Sequence, residues 1–291
     1  MGVDRAVLFR LATSTRFERT VRALPGGERL AGRAASRYVA GRGRAGALAV
    51  TGRLLSAGRG VSVDLFGERV TDVGTAEAVA AEYRSLAAAL PAPPADVWLS
   101  VDLSHLALDA DPAGTADRLA SIAAALPPGR RVQVGAEDAV RTDAVLGCVL
   151  GVAGRGHADR LGATVQANLL RSPGNADALV AAGVHVRLVK GAYVERAGVH
   201  RYGEPTDVAY LRLGARLAGQ GAAWSMATHD GRLREALLLA GGPVTVEQLL
   251  GVRPDVLDDL AGRGVPTRVY VPYGADWFRY WMRRLAESRG A

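Results

Sequence analysis

Polar side chains stand at the ends of apolar, β-branched segments in this chain. The clearest segment is HVRLVKGAY, residues 185–193, in which Arg187 and Lys190 interrupt an apolar run that ends in Gly191. Lys190 is the only lysine in the sequence. Strand alternation places Arg187 and Lys190 on opposite faces. Because an unpaired buried polar group costs ~1–3 kcal/mol, these residues predict a polar site whose groups bond to one another or to a ligand.

Further polar residues occupy comparable positions, where other apolar segments end and loops begin. They are Asp64, Asp102, Glu137, Gln166, Asn168, Thr228, His229 and Tyr270. In a parallel (β/α)₈ barrel, residues at these strand ends form the catalytic face. The pattern therefore predicts one lined site assembled from several strands.

Eight short segments have strand character: residues 60–67, 97–103, 131–137, 163–169, 184–191, 224–230, 244–250 and 267–274. Segments with helical spacing of apolar residues lie between them, for example 75–90, 113–126 and 206–219. Eight such alternations predict an α/β fold, a (β/α)₈ TIM barrel, over residues 60–291. Residues 1–59, with a helical patch at 44–58, are expected to form an N-terminal helical arm packed on the barrel. The segment 244–250 begins as a strand but could turn helical by Glu247.

Composition argues against several classes of protein. The net charge of +7 comes from scattered arginines with few aromatic residues among them, which disfavours nucleic-acid binding. No window has the ~20 apolar residues of a membrane span, and the lone Cys148 cannot form an internal disulfide, so we expect a cytoplasmic protein. The histidines lack zinc-ligand spacing, and no G-x-G-x-x-G follows an early strand. We therefore expect neither a metal site nor a Rossmann-bound nicotinamide.

Five motifs, in order along the chain, resemble the proline dehydrogenase family. They are VSVDLFGERVTD, VQANLL, RLVKGAYVE, ATHD and VYVPYGADWFRYWMRRLAE. That family consists of flavin-dependent (β/α)₈ enzymes that oxidise L-proline to 1-pyrroline-5-carboxylate. The resemblance implies FAD as cofactor, a quinone as electron acceptor, and peripheral contact with the inner face of a membrane to reach it.

The resemblance also implies the residues that hold the cofactor. Arg187 would approach the flavin N5, and Gln166 would bond to the edge of the isoalloxazine. Thr228 and His229 would face the adenosine part, and Glu287 would hold the cofactor from the last helix. The loop after the fifth strand would line the site with Lys190, Gly191, Ala192 and Tyr193.

Three further residues would serve the substrate. Tyr270 would pack on the proline ring, and Arg283 and Arg284 would bind its carboxylate with planar, bidentate donors. Adjacent helical residues lie ~100° apart, so both arginines can reach one anion only if the last helix crosses the mouth of the pocket. With Arg187, these residues make up the expected catalytic set.

The chain departs from the family pattern at three positions. Asp102 stands where a lysine is usual, Gly135 where an aspartate is usual, and Asn168 where a tyrosine is common. Asp102 and Gly135 are expected to be neighbours. One reading is a rearranged ion pair, in which Asp102 pairs with Arg284.

The other reading is that Asp102 repels the carboxylate of L-proline. At ~4 Å such repulsion costs about 4 kcal/mol at an effective dielectric constant of 20. The substrate would then be another cyclic amine, or the protein would be a non-catalytic flavin-binding barrel.

Overall fold

A computed structural model describes residues 19–21, 23–24, 26–67, 69–191, 193, 195–275 and 277–288. Its centre is a closed barrel in which eight parallel strands are hydrogen-bonded in sequence order. The strands are β1 (Gly60–Leu65), β2 (Val97–Val101), β3 (Val132–Val134), β4 (Leu161–Gln166), β5 (His185–Val189), β6 (Trp224–Ala227), β7 (Thr245–Leu249) and β8 (Thr267–Tyr273). The barrel and all eight predicted strands are confirmed.

An α-helix follows each strand, and further helices precede β1. They are α1 (Gly27–Ala35), α2 (Arg44–Ser56), α3 (Val73–Ala89), α4 (Pro112–Ala125), α5 (Thr142–Val152), α6 (Ser172–Ala181), α7 (Glu204–Gly219), α8 (Gly231–Gly241), α9 (Pro254–Gly262) and α10 (Trp277–Ser288). Side-chain caps fix several starts: Asp72 accepts from the Thr75 amide at 2.6 Å and Asp111 from the Gly114 amide at 3.0 Å. None of the described helices is both long and apolar enough to cross a membrane.

The two faces of the barrel wall differ in chemistry. Outward residues such as Val63, Leu99 and Leu188 are fully buried against the helices. Many inward positions instead carry polar side chains, which are also buried: Ser62, Asp64, Ser100, Gln133, Gln166, Arg187, Ser225 and Glu247. β7 continues as a strand through Glu247, so the predicted strand is present and the helical alternative does not occur. The interior is thus a polar layer inside an apolar shell.

The last helix lies at the mouth of the barrel. α2 packs against β1 and β8 on the outer wall, while α10 packs against α1. The α10 side chains Trp277, Phe278 and Tyr280 join a cluster with Phe66, which follows β1, and Tyr270 of β8. α10 is thereby held near the carboxyl ends of β1 and β8. The predicted division of the chain at residues 59 and 60 stays a prediction.

Candidate active site

A buried ion pair crosses the barrel interior from β5 to β7. Glu247 Oε2 accepts from Arg187 Nε at 2.8 Å and lies 2.7 Å from Arg187 Nη2. The second carboxylate oxygen, Oε1, accepts from Ser225 Oγ of β6, and Ser62 Oγ of β1 lies 3.4 Å from Arg187 Nη2. Arg187 and Glu247 are 7% and 3% exposed. Although burial opposes ionisation, the charge and hydrogen bonds of Arg187 keep the pKa of Glu247 below its usual value.

His185 extends this cluster toward the amino-terminal end of β5. Its Nε2 lies 3.0 Å from Ser225 Oγ, and its ring meets the Trp98 ring edge-on, with centroids 5.0 Å apart. Burial first, and then the positive charge of Arg131, lower the pKa of His185 to about 3. The imidazole is therefore neutral. Since the Ser225 hydroxyl gives its one proton to Glu247, His185 must donate from Nε2.

Asp64, at the carboxyl end of β1, holds two tyrosines. Its Oδ1 accepts from Tyr83 Oη at 2.8 Å, and its Oδ2 accepts from Tyr270 Oη. Burial raises the pKa of Asp64 to about 6, against the opposing effects of both hydroxyl bonds and of Arg187. Tyr270, the predicted substrate contact, is thus fixed by a carboxylate that is mostly ionised at neutral pH.

Asp102 occupies the space that a side chain at position 135 would need. A Cβ on Gly135 would overlap Asp102 Oδ1 and lie 3.1 Å from its Cγ. The negative charge of Asp102 also raises the pKa values of Tyr83 and Tyr270, which places it beside the Asp64 cluster. The two departures from the family pattern are therefore neighbours, as expected.

Lys190 points away from Arg187. Its Nζ lies 2.5 Å from Asp207 Oδ1 on α7 and 3.4 Å from Asp230 Oδ2 at the start of α8. Burial opposes its charge, but the two carboxylates raise the pKa of Lys190. Strand alternation had placed Lys190 opposite Arg187, and its ion pairs lie among the helices. Its contact with a cofactor stays a prediction.

The loop after β5 is closely fitted to the loop after β4. Gly191 has φ +111°, and a Cβ there would overlap Asn168 Oδ1. A non-glycine residue would be strained at this position and would also displace Asn168. Tyr193 donates to the Ala136 carbonyl at 3.1 Å, and Ala192 lies outside the described residues.

Gln166 closes β4 with its amide turned toward the loop that follows β3. Its Nε2 donates to the Glu137 carbonyl at 2.8 Å, while the Glu137 carboxylate accepts from the Ser104 amide at 3.0 Å. Gln166 is buried inside the barrel, on the same wall as Arg187. The structure therefore brings these two predicted residues to neighbouring strands.

His229 lies in a positive region at the carboxyl end of β6. Burial first, and then the charges of Arg284, Arg253 and Arg234, lower the pKa of His229 to about 4. Its Nδ1 is buried without a hydrogen-bond partner among the described residues. Thr228 Oγ1 accepts from the Asp230 amide at 3.0 Å. A neutral imidazole among three arginines suits an anionic ligand.

α10 brings Arg284, one of the two predicted carboxylate-binding arginines, to this region. The Arg284 guanidinium lies 4.8 Å from the centroid of the Tyr280 ring. Its effect on His229 places it near the end of β6. Arg283 and Glu287 belong to α10, but their side chains lie outside the described residues.

Sequence reasoning missed the partners of the predicted residues. The sequence predicts Glu247 within a strand but not within the site, and it does not single out Ser225, His185 or Arg253 as site residues. Period-2 alternation offered a signal, because Glu247 is an acidic residue within a β-branched strand and therefore needs a buried cation. Which strand supplies that cation depends on the order and register of the strands in the sheet.

Within the described part of the chain, no group of three or more His, Cys, Asp or Glu residues could hold a metal ion. Burial raises the pKa of Cys148 to about 11, so its thiol is protonated at neutral pH. The polar site inside the barrel is therefore the candidate active site.

A closed parallel barrel with charged side chains gathered at the carboxyl ends of its strands has the architecture of a (β/α)₈ enzyme. A family model described as Proline dehydrogenase matches residues 47–291. The chain belongs to the proline dehydrogenase family, and it is an oxidoreductase.

Individual relatives agree with this membership. Proline dehydrogenase of Deinococcus radiodurans is 32% identical over 87% of this chain and 86% of its own length. Proline dehydrogenase 1 of Bacillus subtilis (strain 168) is 30% identical over 87% of this chain and 86% of its own length.

Solved structures share the fold. Proline utilization A (PutA) of Bdellovibrio bacteriovorus, inactivated by N-propargylglycine, superposes with a TM-score of 0.81 at 19% identity over 98% of this chain. A PutA mutant of Bradyrhizobium japonicum gives 0.74 at 22% identity over 91% of this chain. The chain spans 36% and 32% of those longer proteins.

Proposed function

We propose that this protein oxidises L-proline to 1-pyrroline-5-carboxylate in proline catabolism, with FAD as its cofactor. The observation that carries the proposal is the family match over residues 47–291, which includes every strand of the barrel. The reaction removes a hydride from the substrate, and the flavin supplies the acceptor when it is bound.

The residues present fit a flavin nucleotide. The unpartnered Nδ1 of His229 is a buried polar atom that a ligand could satisfy. The positive charges of Arg234 and Arg253 around it suit phosphate groups. Gln166 and Arg187, on adjacent strands inside the barrel, would hold the flavin ring, with Thr228, His229 and Glu287 on the adenosine side.

The chain's own groups then have separate tasks. Arg284, together with Arg283, would hold the substrate carboxylate, and Tyr270 would pack on the ring while Asp64 holds its hydroxyl. The aromatic cluster of α10 would exclude water, which strengthens the charge interactions inside the site. Arg187 would place positive charge where the flavin becomes electron-rich.

A second candidate is oxidation of a cyclic amine without a carboxylate. The observation that favours it is the Asp102 carboxylate, seated in the space left by Gly135 and beside Tyr270. Repulsion between two carboxylates would weaken L-proline binding but not pyrrolidine binding.

Steady-state assays with a quinone acceptor would separate the candidates. A higher kcat/KM for L-proline than for pyrrolidine supports proline oxidation, and the reverse order supports the second candidate. Flavin that neither amine reduces would indicate a non-catalytic flavin-binding barrel. The quinone acceptor and peripheral membrane contact would be tested by acceptor competition and by co-sedimentation with vesicles.

A further inference from the structure

We infer that Glu247 is a positioning residue that fixes Arg187 and sets the electrostatic potential that Arg187 presents to the flavin. The inference rests on the proposed function, because it assigns a role relative to the bound cofactor. It concerns the buried cluster formed by His185, Arg187, Ser225 and Glu247.

Glu247 fixes the orientation of the Arg187 guanidinium through two contacts. Its Oε2 lies 2.8 Å from Nε and 2.7 Å from Nη2 of Arg187, so one oxygen fixes two nitrogens of the planar group. Arg187 side-chain rotation would break both contacts. The orientation of the guanidinium is therefore set from β7, across the width of β6.

Glu247 is itself anchored from the opposite side. Ser225 Oγ donates to Oε1, and His185 Nε2 lies 3.0 Å from that hydroxyl. Ser225 is the register partner of both Arg187 and Thr245, so Glu247 lies two residues farther along β7. The chain His185–Ser225–Glu247–Arg187 thus orders three strands in one network, and each member is at most 7% exposed.

The same contacts also determine the electrostatic effect of Arg187. A buried carboxylate against the guanidinium offsets much of the positive field that Arg187 would otherwise project. The reduced flavin is electron-rich, so a partly neutralised Arg187 would stabilise it less than a free guanidinium would. Glu247 therefore weakens the electrostatic effect of Arg187 on the flavin but fixes the position of the guanidinium.

Sulfite is a suitable probe of this field. It adds to the oxidised flavin ring, leaves negative charge on it and abolishes its visible absorption, and the titration needs no amine substrate. We expect Glu247→Gln, which keeps the shape of the side chain and removes its charge, to lower the sulfite dissociation constant by roughly tenfold.

The matched control is Gln248→Leu. Gln248 is the neighbouring residue of β7, is equally buried at 3% exposed, and faces the other side of the strand. Its replacement should change sulfite affinity by less than about twofold. An unchanged or weaker sulfite affinity in Glu247→Gln would overturn the electrostatic part of the inference.

Glu247→Asp tests positioning and keeps the charge that the buried Arg187 requires, which covers the case in which Glu247→Gln does not fold. The shorter side chain cannot reach Arg187 and Ser225 together. We expect near-parental sulfite affinity but flavin reduction by L-proline slowed by roughly tenfold or more. Reduction at the parental rate would overturn the positioning role.

Failure of this inference can be told apart from failure of the proposed function. A parent protein that carries no flavin would refute the proposed function. A parent protein whose flavin binds sulfite and is reduced by L-proline, with both Glu247 variants indistinguishable from it, would refute only the role of Glu247.

Discussion

Adding one methyl group at Gly135 tests whether Asp102 and Gly135 form a coupled pair. A Cβ at this position overlaps Asp102 Oδ1 and lies 3.1 Å from Cγ, so Gly135→Ala must displace the carboxylate. Overpacking of this kind typically costs ~1–3 kcal/mol. Gly135 does not have a positive φ, so the cost arises from the contact rather than from backbone strain. We expect a loss of that size in the free energy of unfolding, measured by urea denaturation.

Two further variants isolate the contact. Gly147 lies inside α5, and a Cβ added there would have open space around it, so Gly147→Ala should instead stabilise by roughly 0.5–1 kcal/mol. In an Asp102→Ala background the obstructing oxygen is gone, and the cost of Gly135→Ala should fall below about 0.5 kcal/mol. An equal cost of Gly135→Ala in both backgrounds would refute the coupling.

The remaining predictions concern a buried charge, a titration and a strained turn. Arg187→Ala leaves the buried Glu247 carboxylate without its cation and should lower the free energy of unfolding by ~3–5 kcal/mol, measured by urea denaturation. A loss below about 1 kcal/mol would contradict a buried ion pair. Burial raises the pKa of Asp64 to about 6, so between about pH 4 and 6 the folded state holds a proton that the unfolded chain has lost. Stability from Asp64 should therefore fall by about 3 kcal/mol as pH rises through that window, and Asp64→Asn should lack this fall; parallel pH curves for the two proteins would contradict it. Gly191→Ala should cost at least ~1 kcal/mol, measured by thermal unfolding, because φ is +111° and Asn168 blocks the Cβ; an unchanged Tm would show that the loop relaxes freely.

Much of the barrel can be predicted from the sequence, but less of its interior can. Parallel strands buried on both faces are continuous apolar runs, so segments such as 97–103 were recognisable without any partner. The position of α10 at the mouth is foreseen only as a condition for Arg283 and Arg284 to reach one anion. Its packing is not, because it depends on the contact between Tyr280 and Phe66, which are far apart in sequence.

The polar site is likewise only partly predictable from the sequence. Alternation correctly separated Arg187 from Lys190, yet it could not reveal that Lys190 meets Asp207 of α7. The family resemblance assigns Arg187 a contact with the flavin, but it does not indicate a structural role. The buried bond to Glu247 adds that role, and it depends on the placement of β5 and β7 on either side of β6.

The most direct test of the proposed activity is anaerobic addition of L-proline to the purified protein while its visible spectrum is recorded. The account predicts a yellow protein whose flavin band bleaches on addition of L-proline, which would also show that the site accommodates Asp102. A colourless protein would contradict the cofactor, and a yellow protein that L-proline leaves unchanged would contradict the proposed substrate.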